Sequence, residues 1–148
     1  MPETRIEFFE RAATYVLSLL YSEFPEKTII DPPNIADALV RATDADVSPA
    51  CSSFDPALTV SATISYLIDE GFVRGGEQPP LDGCSVFSAC RLSERGLKLL
   101  AAVPTTVDPS TDRRRPGERL ADAVEHGAWK VGAQLLRELL GLHPPPPR

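Results

Sequence analysis

Two histidines, three cysteines and one adjacent acidic pair are the side chains of this sequence on which catalysis or metal binding could rest. A general base needs an imidazole held within reach of a nucleophile by an ordered scaffold. His143 stands in the run HPPPPR, whereas His126 stands beside Glu125 where Gly127 is expected to break a helix, the place of a helix-terminus histidine. Cys51, Cys84 and Cys90 form no CxxC pair, and neither histidine is spaced to complete a zinc site. Reduced, partly buried thiols are expected, and no metal. Asp69 and Glu70 are neighbours in sequence, so on a helix their carboxylates diverge. No phosphate-cradling loop or nucleophile elbow is present, and RGGEQPP reads as a turn. The expectation is a chain that is not an enzyme and carries no cofactor.

Recognition is the chemistry left. The stretch LTVSATISYLIDEGFV, Leu58 to Val73, holds the hydroxyls of Thr59, Ser61, Thr63 and Tyr66 and no Lys or Arg; Arg74 follows it. The one basic cluster is Arg113-Arg114-Arg115, beside Asp112. It reads either as an arm reaching phosphate or an acidic partner, or as a solvated linker drawn to the chain's own acidic body. Net charge is −6. It divides into −8 over residues 1–108 and +2 over residues 109–148. An acidic body repels nucleic acid at long range and must compensate locally to bind it.

The elements that position these groups follow from periodicity and punctuation. Phe8, Phe9, Ala12, Ala13, Val16, Leu17, Leu19 and Leu20 make a wide apolar stripe, predicting a helix from Glu3 to Phe24 that touches more than one neighbour. KTII reads as a short strand. Asp31-Pro32 and Asp55-Pro56 are helix-start signals, a side-chain acceptor followed by a residue with no amide of its own. In the helix after Asp55, Val60, Ile64, Leu67 and Ile68 are expected on one face, with Thr59, Thr63, Tyr66 and Glu70 on the other. FVRGG and CSVFSACRL read as strands around EQPPLDG. Alternation in the second puts Val86, Ser88 and Cys90 on one side and Phe87, Ala89 and Arg91 on the other. Ser93 caps a helix running toward Pro104. The remaining helical segment carries a stripe of Leu120, Val124, Trp129, Leu136, Leu139 and Leu140.

This order (helix, strand, helix, helix, two strands, helix) resembles the winged-helix superfamily. TVSATISYLIDEGFV is similar to its third helix, FVRGG with SVFSACRL to its wing, and RLSERGLKLL to the segment after the wing in MarR-like and PadR-like regulators. The likeness covers residues 3–103. It implies a mainly α (α+β) fold: a three-helix core with a two-stranded wing, here with a C-terminal helical extension. It also implies duplex DNA binding, with Thr59, Ser61, Thr63 and Tyr66 in the groove and Arg74 at the wing base. Helices flanking such cores often form a dimer seam, here Trp129, Leu136, Leu139 and Leu140. The sequence departs from the pattern in the uncharged third helix, in the span 42–54 where a short turn is usual, and in a wing loop holding Glu77 and Asp82.

The resulting expectation is a winged-helix domain over 1–103, a linker over 104–116, a helical segment over 117–142 and a proline-rich tail over 143–148. Without an apolar leader or an apolar run of about 18 residues, a cytoplasmic location off the membrane is expected. Charge favours a protein partner on the surface of Thr59, Ser61, Thr63, Tyr66 and Arg74, as an adaptor or regulator. A dimeric DNA-binding transcriptional regulator is the alternative. Self-association and its absence stand even.

Overall fold

A computed structural model of the protein describes residues 4–41, 55–78, 86–102 and 114–141. The predicted loop 42–54, linker residues 104–113 including Arg113, the tail 143–148, and Cys51, Cys84, Asp82 and His143 lie outside the described residues. The chain is mainly helical with a small antiparallel sheet. Among the described residues no helix is long and apolar enough to cross a membrane.

Helix α1 (Arg5–Glu23) is the axis of the molecule. Thr4 caps it, its hydroxyl oxygen accepting from the Glu7 amide. From Phe8 to Leu20 it is buried on nearly every side. The breadth of its apolar stripe has a simple cause: α3, the sheet and both C-terminal helices all pack on it. Strand β1 (Thr28–Ile30) leads to α2 (Pro32–Arg41), and then α3 (Pro56–Asp69) begins behind Asp55. The Asp55 carboxylate accepts from the amides of Ala57 at 2.9 Å and Leu58 at 3.4 Å. Gly71, at φ 85°, takes the left-handed turn after α3.

Strands β2 (Val73–Gln78) and β3 (Val86–Leu92) form an antiparallel hairpin, and β1 pairs on the other side of β3, giving the order β1-β3-β2. Simple alternation along β3 fails. Phe87 and Cys90 both face the core at 0% exposure, while Ala89 and Arg91 are exposed. The register supplies the reason: Arg74 pairs with Arg91 and Gly76 with Ser88, so β3 spends one more residue than β2 over that step. The same extra residue appears against β1, where Thr28 pairs with Cys90 and Ile30 with Phe87. Ala89, at φ 55°, sits in this β-bulge and inverts the side-chain order that follows it.

Helix α4 (Glu94–Ala101) is tied to α3 through its cap. Ser93 Oγ accepts from Gly96 N at 3.0 Å and donates to the Gly71 carbonyl. Helices α5 (Pro116–Glu125) and α6 (Trp129–Leu140) are separated at His126 and Gly127, the expected break. They do not stand apart from the rest. Leu120 and Leu136 are fully buried in one core with Leu17, Leu39, Ile64 and Phe87. Each such side chain contributes about 1.5–3 kcal/mol of burial. Gly132 permits the close crossing of α6 over α1, since a β-carbon there would lie 3.0 Å from Thr14 Cγ2.

Candidate functional site

The outward side of α3 is built by what its inward side consumes. Val60, Ile64 and Leu67 are at 0% exposure and Thr63 at 2%, a single stripe at three- and four-residue spacing. Thr63 was expected outward and is in the core. Its hydroxyl donates to the Thr59 carbonyl at 2.7 Å, which satisfies the one polar group this burial would strand. Thr59 and Ser61 are half-buried, and the Thr59 hydroxyl donates to the Asp55 carbonyl at 2.9 Å. Tyr66 is half-buried too, its ring edge-on to Phe9 of α1 with centroids 5.4 Å apart. What α3 offers to solvent is therefore Leu58, at 60% exposure, with Ala62 beyond it and Asp69 at the far end. Ile6, 65% exposed, stands one turn before Phe9 on α1. The sequence reading missed Leu58; its place two residues before Val60, off the buried stripe, was the available signal.

The base of the hairpin carries the cations. Val73 and Leu92 are paired and buried at 2% each, so their neighbours Arg74 and Arg91, also register partners, emerge together on the outer face. Both are exposed. Arg74 also borders a groove of about 520 Å³ with Ile68, Val73, Glu94 and Arg95. Arg95 is committed: its guanidinium lies 4.4 Å above the Phe72 ring and donates to the Glu70 carbonyl.

Arg114 of the predicted basic arm and the residues of the predicted dimer seam make contacts within the chain. Arg114 Nη1 lies 3.4 Å from Asp122 Oδ2, and Arg115 is the exposed residue preceding α5. Both line an open cleft of about 670 Å³ with Tyr21, Phe24 and Asp122. Of the seam, Leu136 is wholly buried, whereas Trp129, Leu139 and Leu140 are half-buried against the core. The buried Arg11 lies 5.0 Å from the Trp129 ring and 5.9 Å from Phe8, and donates to the Leu39 carbonyl. Beside it, Glu10 holds Arg137 of α6 at 2.6 Å. Helix α6 packs on α1, and these residues are covered to that extent within the chain.

Asp122, Glu125 and His126 bring ligand atoms within 4.8 Å of one another at the end of α5. The same groups make contacts at the helix end. His126 Nδ1 donates to the Asp122 carbonyl at 2.9 Å and lies 3.2 Å from its carboxylate, which also faces Arg114. That carbonyl, then the Asp122 charge, raises the His126 pKa above its ordinary value. Burial pushes the Cys90 thiol up to about 11, leaving it protonated and a poor nucleophile at neutral pH. No protein-family model, curated protein or solved structure matches this chain.

Proposed function

We propose that the chain is a winged-helix module that works through protein–protein contact and not through catalysis. The observation that supports this most is the outward face of α3. It is uncharged from Pro56 to Ile68 and led by Leu58 at 60% exposure, with Tyr66 and Phe9 beside it. Uncharged, partly aromatic surface is what a protein interface core is made of, whereas a duplex reader relies on Arg and Lys. Helix α3 and the hairpin base with Arg74 would form the contact surface, and the C-terminal helices would brace α1 from behind. Self-association is not required by this reading.

The test is capture of partners from the source cell by the immobilised chain. Capture of a defined protein by wild type, lost with Leu58→Asp and kept with Val131→Asp, supports the assignment; Val131 is equally exposed, at 61%, but lies on α6. Equal loss in both variants, or in neither, rejects α3 as the contact.

One observation favours a second reading, that of a DNA-binding regulator. Arg74 and Arg91 face outward together where a wing would meet phosphate. With Thr63 buried, Thr59, Ser61 and Tyr66 would remain for the groove. The acidic Asp69 and Glu70 at the end of α3 count against it.

A further inference from the structure

We propose that the outer face of the three-stranded sheet seats an acidic segment of the protein partner, with one carboxylate held between Arg74 and Arg91. The proposal rests on the protein-contact reading above and names the chemistry of that partner. Two like charges directly opposite each other in an antiparallel pair repel, a cost the sheet would avoid by changing either residue. Neither guanidinium has an ion-pair partner among the described residues, although the chain as a whole carries a net charge of −6. A pair of adjacent guanidinium forks is a ready acceptor for a carboxylate, whose two oxygens each take charge-assisted hydrogen bonds.

The rest of the face says which anion. Ile29, on β1, points the same way and is 71% exposed, an unusual position for a β-branched apolar side chain on a three-residue strand. Exposed Ala89 lies on β3 between the two, keeping the floor low between Ile29 and the arginines. The bulge that puts Ala89 at φ 55° also sends Phe87 and Cys90 inward, so this shallow face exists because of it. An apolar side chain beside two cations suits a peptide that alternates apolar and acidic residues. A phosphate backbone offers Ile29 nothing. Asp69, Glu70 and Glu94 also stand where the strands meet α3 and α4, and they would repel a long polyanion more than a short acidic segment.

The experiment uses the full chain and three fluorescent probes: a peptide of alternating Leu and Glu of about twelve residues, its Lys-for-Glu counterpart, and a duplex of about 16 base pairs. Wild type is expected to bind the Glu peptide and not the Lys peptide. Arg91→Glu should weaken that binding by tenfold or more. The same variant should raise Tm by about 1–3 °C, because repulsion across the strands becomes attraction. Ile29→Asn should weaken binding severalfold. Loss of affinity together with a higher Tm separates a binding role from a folding defect. The proposal is overturned by unchanged peptide affinity in Arg91→Glu, by no binding of the Glu peptide to wild type at low salt, or by a duplex held through the same arginines in place of the peptide. If Leu58→Asp abolishes partner capture while Arg91→Glu leaves peptide binding unaltered, the acidic partner falls and the protein-contact reading stands.

Discussion

A β-carbon on residue 75 would lie 2.5 Å from Cys90 Sγ and 3.1 Å from its α-carbon. The bulge at Ala89 turns Cys90 inward against β2, and only glycine leaves room for it there. Gly75→Ala is therefore expected to destabilise the fold by about 1–3 kcal/mol through overpacking, read as a lower denaturant midpoint at unchanged slope. A midpoint equal to wild type would mean that the two strands sit further apart. At the end of α5, His126 supplies a pH dependence of known sign. Its pKa is raised in the folded state, so its stabilising contribution is complete below the ordinary value of 6.5 and disappears as pH rises through the raised one. Comparison of Tm at about pH 5.5 and pH 8.5 should show a larger fall for wild type than for His126→Gln. The effect is small because the ring is in solvent; equal falls would contradict the assignment.

Elements whose boundaries are set by neighbours in sequence were legible in advance. Asp55-Pro56 and Ser93 cap the helices they were expected to cap, and His126-Gly127 breaks the C-terminal segment where expected. Features set by contacts distant in sequence were not. Nothing local marks Ala89 as a bulge, because its positive φ answers to pairing with β1 and β2 at once. Thr63 reads as polar and outward until its carbonyl partner at Thr59 lets it join the Val60–Leu67 stripe. Whether Trp129 and Leu136 pack within the chain or against a second copy stood open in the sequence, because the α1 residues they pack near lie over a hundred positions earlier. The candidate surface was accordingly half legible: Arg74 stands exposed, Thr59, Ser61 and Tyr66 are partly covered, Thr63 is gone, and Leu58 was missed. Ser93 joins two elements through one hydroxyl, accepting from Gly96 N and donating to the Gly71 carbonyl. Ser93→Ala should cost about 1–2 kcal/mol, the upper range for a lost cap, with Ser93→Thr restoring most of it in a melting series. A cost indistinguishable from zero would show that water replaces both bonds.

At the scale of the whole molecule, shape and charge point different ways. Under the proposed winged-helix reading, three helices, a hairpin and a third strand at its side would be the frame of a groove reader. The helix that would enter the groove holds no cation between Leu58 and Val73, and the chain has a net charge of −6. The C-terminal helices and the residues leading into them add Arg114, Arg115, Arg119, Lys130 and Arg137, yet Arg114 and Arg137 are drawn to Asp122 and Glu10 of the same chain. Non-specific duplex binding draws its affinity from released counterions, so it must fall steeply with salt. Anisotropy of a labelled duplex titrated with the full chain at low and at physiological salt is therefore the most direct measurement. The protein-contact account predicts no saturable binding at either. Tight binding that collapses with salt and is weakened by Arg74→Ala would contradict it.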